Sequence, residues 1–154
     1  NAFGIKGKHN FKDRTIILGT AYLIMGATVN TIKKTSNVER PDGSSKNSFP
    51  SGHTATAFMG AEFLYQEYKH ISPWYGIMGY TMAAGTGFFR IYNDRHWLTD
   101  VAAGAGIGML SAKIAYWIHP FIKNTLFKDK ETMDGAIVPF YNGEQVGLGL
   151  SMSF

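Results

Sequence analysis

The 154-residue chain contains no cysteine. That excludes disulfide scaffolds, cysteine nucleophiles, iron–sulfur clusters and cysteine-ligated zinc. It leaves compartment open, because a chain without thiols is safe in any redox environment. Charge is also scarce: Asp, Glu, Lys and Arg make up 17% of the residues, against a usual share of about 25%. Hydrophobic residues reach 45% and aromatics 14%, so global disorder is excluded. The 18 glycines follow no three-residue period, which excludes collagen. Long apolar runs are missing too. The longest uncharged stretches, residues 15–32 and 71–89, span 18 and 19 residues but are interrupted by Asn30, by Pro73 and by threonines and glycines. A membrane-crossing helix needs about 20 mostly apolar residues. With a mean hydropathy of −0.10, these runs read first as buried helices of a compact helical domain. A small integral membrane protein is the other reading.

What is present is organised as helices followed by a distinct tail. A polar, basic arm (1–10) precedes a helix expected from a cap at Asp13 to about Lys34, with Lys33 and Lys34 on its C-terminal dipole. Residues 35–50 are rich in Ser, Asn, Gly and Pro and read as a surface loop. A second helix is expected from the Ser51-Gly52 turn to about Lys69. A third should start at Ser72-Pro73 and reach about Ile91. A fourth should run from 96–99 to about Trp117, broken by His119-Pro120. Gly104, Gly106 and Gly108 each weaken that helix by about 1 kcal/mol relative to alanine. Close helix–helix approach is the expected return, and a tight bundle the expected architecture. In the tail, an apolar stretch (136–140) meets the turn signal Asn142-Gly143. Val146, Leu148, Leu150, Met152 and Phe154 then alternate with small or polar residues, so a β-hairpin is expected; the strand could also open a larger sheet. The fold class is thus mainly α, a compact helical bundle with a C-terminal β-hairpin. Residues 1–134 form the helical domain and 135–154 a tail that is not an independent domain.

Three short stretches carry chemistry. Lys33 is followed after six residues by Arg40-Pro41. Pro50-Ser51-Gly52-His53 comes next. Arg90 is followed after five residues by His96, and after three more by Asp100. The Ser51-Gly52-His53 turn would open a helix, whose first N–H groups and dipole attract anions. Gly52 allows a phosphate close to the backbone, with His53 beside it. His96 and Asp100 are four apart, so they share a face on a helix. A carboxylate bonded to one imidazole nitrogen fixes the tautomer and raises the basicity of the other, which favours His96 as nucleophile. Lys33, Arg40 and Arg90 add three cations, and the arginine fork suits phosphate oxygens. Phosphoryl transfer without a metal calls for this inventory, because the protein itself must neutralise the charge.

In order and spacing these stretches resemble the signature of the type 2 phosphatidic acid phosphatase (PAP2) superfamily, which also includes bacterial class A acid phosphatases and vanadium haloperoxidases. The resemblance covers residues 33–100 and omits the arm and the tail. It implies a metal-independent phosphatase with no cofactor, acting on phosphate monoesters or pyrophosphates, with lipid phosphates slightly ahead of soluble ones. By the resemblance, His96 attacks phosphorus, Asp100 orients His96, and His53 protonates the leaving alkoxide and later activates water. Lys33, Arg40, Ser51, Gly52 and Arg90 would bind the non-bridging oxygens. It also implies an extracytoplasmic place, periplasm or cell envelope, soluble or membrane-associated, and the first residue, Asn1, is what a processed or excised chain would show. There are two departures. Phe89 stands where the family usually has Ser, and only eight residues (42–49) separate Arg40-Pro41 from Pro50, which leaves little for a substrate lid.

Each feature has a plainer explanation by itself: lysines at a helix end, a structural i,i+4 pair, a solvated arginine. It is the joint order that points to a site. His9, His70 and His119 match nothing and read as surface or interface residues. No spacing of the H-E-x-x-H kind suggests zinc. The net charge of +4 is spread out and partly committed to the site, which speaks against nucleic acid. A vanadium-dependent haloperoxidase and a non-enzymatic phosphate- or phospholipid-binding module are the competing readings. Oligomeric state is not legible.

Overall fold

The structure is a computed structural model that describes residues 6–126. Beyond them it describes only the backbone of two strands, β1 (Gly135–Tyr141) and β2 (Val146–Met152). The alternating side chains behind the expected hairpin lie outside the described residues, and the established fold is helical. Four helices follow one another: α1 (Phe11–Ser36), α2 (Gly52–Tyr68), α3 (Trp74–Tyr92) and α4 (Leu98–Leu126). The chain divides into two compact units, Asn1–Pro120 and Phe121–Phe154.

Local chemistry accounts for most helix ends. Asn10, not Asp13, caps α1: its Oδ1 accepts the Asp13 N–H at 2.8 Å. Asp13 instead places its negative charge in the first turn, where the macrodipole favours it. Asn37 ends α1 in the left-handed region (φ 47°), a conformation Asn tolerates better than most residues. Ser51 caps α2 as expected. Pro73 precedes α3, where its missing N–H does no harm. The expected break at His119-Pro120 does not occur, and α4 continues through Pro120 to Leu126. A proline inside a helix removes one backbone hydrogen bond and strains one turn; it does not oblige the helix to stop.

The core is a stripe of residues four apart on α1, namely Ile17, Ala21, Met25 and Val29, set against Ala55 and Met59 of α2 and Ala112 and Ala115 of α4. Much of this interior is alanine. The bulky apolar side chains point outward instead: Leu23 of α1 is 75% exposed, Met82 of α3 76% and Trp117 of α4 82%. Small residues inside and large ones outside invert the pattern of a water-soluble domain and match helices packed within lipid. Both α1 and residues 98–125 are long and apolar enough to cross a membrane. The membrane-associated reading therefore replaces the expectation of helices buried in a soluble core.

Glycine explains how closely α4 approaches α2. A Cβ at Gly104 would stand 2.4 Å from the Ser51 carbonyl oxygen, and one at Gly108 would stand 2.2 Å from that of Ala55. Backbone touches backbone here, so no side chain fits at either position. Gly106 has nothing within 4 Å of its would-be Cβ, so close approach explains two of the three glycines and not the third.

At the end of α2 away from its capped N-terminus, charge is buried and paired. Glu67 accepts the His9 N–H at 3.1 Å, meets His9 Nδ1 at 2.7 Å and accepts the Tyr116 hydroxyl at 2.7 Å. His119 is buried, with Nε2 3.5 Å from Asp13 Oδ1. His119 is thus buried and His9 half-buried beside carboxylates, where both were expected at a surface or interface, and His9 supplies donors that the buried Glu67 carboxylate requires.

Candidate active site

Four segments converge at the other end of the bundle: the last turn of α1, the loop 37–50, the first turn of α2, and the loop 93–97 leading into α4. The loop 37–50 has no regular structure, yet it is tied down throughout. Ser36 donates its hydroxyl to the Phe49 carbonyl at 3.0 Å, and the Ser48 N–H bonds the Val38 carbonyl at 2.9 Å. The second loop fastens the first: Trp97 Nε1 donates to the Glu39 carbonyl at 2.9 Å, and Arg95 pairs with Asp42 at 2.9 Å. This zipper holds Arg40 beside the helix ends. Its ties could not be found from the sequence, where Arg95 and Trp97 fall at variable positions of the third stretch.

One cavity of about 680 Å³ is lined by Lys33, Arg40, Gly52, His53 and His96. The structure therefore brings together five of the eight residues expected at the site. Arg90 acts on the same space by charge, as a nearby cation of His53 and Lys33. Lys33 reaches over the loop, its Nζ donating to the carbonyls of Asn47 at 2.6 Å and Ser48 at 3.3 Å. Arg40 Nε and Arg90 Nε are buried with no hydrogen-bond partner, a costly state for a guanidinium donor unless an anion completes it. Gly52 and His53 form the first turn of α2, where backbone N–H groups have no intrahelical acceptor. Ser51 is placed differently. Its hydroxyl faces Thr54 Oγ1 at 2.9 Å and its N–H donates to the Asp100 carbonyl at 2.9 Å. It fixes the α2 cap to the start of α4.

His96 and Asp100 are both buried, with His96 Nδ1 3.4 Å from Asp100 Oδ2. His96 precedes α4 and Asp100 lies in its first turn, so the shared face comes from a loop–helix junction rather than from one continuous helix. Asp100 Oδ2 also accepts the Trp97 N–H at 2.9 Å. A residue that sequence reasoning missed completes this group: Ser48, fully buried, donates its hydroxyl to Asp100 Oδ2 and stands 3.4 Å from His96 Nδ1. Nothing marks Ser48 in the sequence, because it is one serine among several in an aperiodic loop.

Burial, then the charge of Lys33, hold the His96 imidazole below its ordinary 6.5 against the upward pull of Asp100. Burial, followed by the charges of Arg90, Arg40 and Lys33, likewise lowers His53. The neutral form of His96 is thereby favoured, as a nucleophile requires, and the proton that His53 carries in its acid form is made easier to give up. Among the described residues, no three His, Asp or Glu side chains stand where they could share a metal ion.

Away from these charged groups the same cavity forms a slot among α1, α2 and α3. Tyr22, Met25, Gly26 and Val29 of α1, Thr56 and Ala57 of α2 and Thr86 of α3 line it.

The PAP2 superfamily profile matches residues 14–123. Lipid A 1-phosphatase from Porphyromonas gingivalis is 46% identical over 154 residues, covering 98% of this chain and 33% of its own. The bacitracin transport permease protein BcrC from Bacillus licheniformis is 34% identical over 98 residues, covering 62% of this chain and 46% of its own. The chain thus spans between a third and a half of the length of these curated relatives. Among solved structures, LpxE from Aquifex aeolicus superposes with a TM-score of 0.62 at 29% identity, covering 70% of this chain and 69% of that one.

Proposed function

The chain belongs to the PAP2 superfamily, and from that premise we propose that it is a metal-independent lipid-phosphate phosphatase working through a phosphohistidine, with lipid A 1-phosphate as the leading substrate. The observation that carries the proposal is the pairing of buried His96 with Asp100 in a cavity that also presents His53, Lys33 and Arg40. Simple phosphate binding needs no buried His–Asp pair; covalent phosphoryl transfer does. In the proposed cycle, Lys33, Arg40 and Arg90, with the first turn of α2 at Gly52, neutralise the non-bridging oxygens. Ser51 contributes by holding that turn against α4. His96 Nε2 attacks phosphorus while His53 gives a proton to the departing oxygen. The N–P bond forms as the P–O bond to the leaving group breaks. Water, deprotonated by His53, then attacks the phosphohistidine, and inorganic phosphate leaves with His96 restored. Asp100 stabilises the positive charge that His96 acquires.

The choice of a lipid substrate rests on the slot beyond the phosphate site, on the outward-facing apolar side chains and on the relatives' names. With a lipid substrate, the head would meet the cations and an apolar part would lie along Met25 and Val29. The extracytoplasmic placement, and the organisation of 1–134 as catalytic domain with 135–154 as hairpin tail, belong to the same proposal.

The test is phosphate release in EDTA from lipid A 1-phosphate, a diacylglycerol phosphate, an isoprenyl pyrophosphate and an aryl phosphate. We expect release blocked by vanadate and lost in His96→Ala while helicity is retained. Wild-type turnover in His96→Ala would overturn the assignment.

A further inference from the structure

We propose that Ser48 is a positioning residue for the His96–Asp100 pair: its hydroxyl shares Asp100 Oδ2 with His96 and offers the Nδ1 side of His96 a second acceptor, keeping Nε2 as the bare nitrogen. Two hydrogen bonds end on that one carboxylate oxygen, from the Ser48 hydroxyl and from the Trp97 N–H at 2.9 Å, and His96 Nδ1 stands 3.4 Å from it. The other oxygen, Oδ1, is buried with no hydrogen-bond partner. The carboxylate is therefore not a dedicated partner of the imidazole. Its charge is divided, and Ser48 sets the division. Ser48 Oγ also stands 3.4 Å from His96 Nδ1. With its own proton directed to Asp100, its lone pairs face the ring, and a hydroxyl can donate and accept at once. Either acceptor, carboxylate or hydroxyl, selects the tautomer with hydrogen on Nδ1. Ser48 is itself fixed from two sides. Its N–H bonds Val38 and its carbonyl accepts Lys33 Nζ at 3.3 Å, so it cannot drift away from the pair.

The consequence is a restrained imidazole. Lys33 from α1 and Arg40 from the loop lower the affinity of His96 for a proton, and Asp100 from α4 raises it; His53 from α2 lines the same cavity. By drawing on Asp100, Ser48 limits the upward pull and keeps His96 neutral in the resting enzyme. When phosphorus is attacked and His96 becomes cationic, Asp100 is in place to stabilise the charge.

This inference rests on the phosphatase reading, and the experiment separates the two. Wild-type protein is first assayed for phosphate release and for acid-labile phosphohistidine; failure of both sinks the phosphatase reading alone. The titration of His96 is then followed by NMR on protein carrying ¹³C-labelled histidine, with the signal assigned by its loss in His96→Gln. This readout needs no turnover. In Ser48→Ala the midpoint should move up, because Asp100 then acts on His96 undivided. Its kcat/KM should fall by about ten- to a hundredfold, as expected for a lost hydrogen bond to a charged group. Combined with Asp100→Ala, the Ser48→Ala change should have a clearly smaller effect on both quantities. An unmoved midpoint in Ser48→Ala would overturn the proposal whatever happens to activity, as would an undiminished effect in the Asp100→Ala background. If Ser48→Ala does not fold, Ser48→Cys replaces it, being close in shape and a weak donor, with the same upward shift expected.

Discussion

Gly104→Ala tests whether backbone contact between α2 and α4 sets the geometry of the site. The added Cβ would lie 2.4 Å from the Ser51 carbonyl oxygen. Ordinary contact begins near 3.4 Å, so the two helices must separate by about 1 Å at this point. The contact cannot relax by a rotamer change, because the obstacle is backbone. Ser51 is the cap of α2 and its N–H is tied to the Asp100 carbonyl, so a separation here is transmitted to His53 on one side and to His96 and Asp100 on the other. Misplacement by about 1 Å can lower turnover by about a hundredfold, and overpacking of this kind destabilises by about 1–3 kcal/mol. Gly106→Ala is the matched control, with nothing within 4 Å of its Cβ. It should leave turnover unchanged and stabilise the helix by about 1 kcal/mol. The assay is steady-state phosphate release with thermal unfolding in the same detergent. Wild-type turnover in Gly104→Ala, or equal losses in both variants, would refute the reasoning.

Other outcomes follow from the same geometry. The kcat/KM profile of the free enzyme should be a bell centred below pH 6.5, the ordinary imidazole value. His96 loses its proton, and His53 its acid form, below that value, so both limbs move toward acid; a bell centred above pH 7 would contradict this. Lys33→Met should move the acid limb up, since the Lys33 charge helps to hold His96 down. Gly26 lines the slot and has nothing within 4 Å of its would-be Cβ, so Gly26→Leu should fill the slot without disturbing the fold. It should lower kcat/KM for lipid phosphates by about tenfold or more while leaving a small aryl phosphate unaffected, and equal effects on both substrates would remove the slot from the substrate's path.

The helices and most of the site were legible because both depend on local rules. Ser51-Gly52 announces a helix start, Pro73 another, and the Lys33, Arg40, His53, Arg90, His96, Asp100 series keeps its order wherever the chain folds. The surroundings of that series were not legible. Ser48 matters through a contact with Asp100 52 positions away, and Trp97 reaches Glu39 58 positions away; neither obeys a period. The membrane question failed for a different reason. Composition counts the same whether bulky residues face in or out, and only the structure shows Ala21, Ala55 and Ala112 buried while Leu23, Met82 and Trp117 are exposed. His9 and His119 were misread because their partners Glu67 and Asp13 lie far off in sequence and meet them only in the folded bundle.

The same placement bears on the choice between a phosphatase and its competitors. A haloperoxidase and a phosphatase can share the anion site, because vanadate resembles the transition state of phosphoryl transfer. They differ in what must lie next to it. Oxidation of a small halide requires access for peroxide and halide, and nothing apolar. Cleavage of a lipid phosphate requires room for an apolar body that stays bound while the phosphoryl group reacts. Here the wall of the cavity beyond His53 and Lys33 is formed by Tyr22, Met25 and Val29. These belong to α1, whose exposed Leu18 and Leu23 face outward. A binding module is disfavoured on energetic grounds: burying His96 and Asp100 to 2% and 1% exposure carries a desolvation penalty, and leaving Asp100 Oδ1 unpartnered adds to it. Affinity for an anion gains nothing from a buried carboxylate beside it, whereas a nucleophile that becomes cationic in the transition state does.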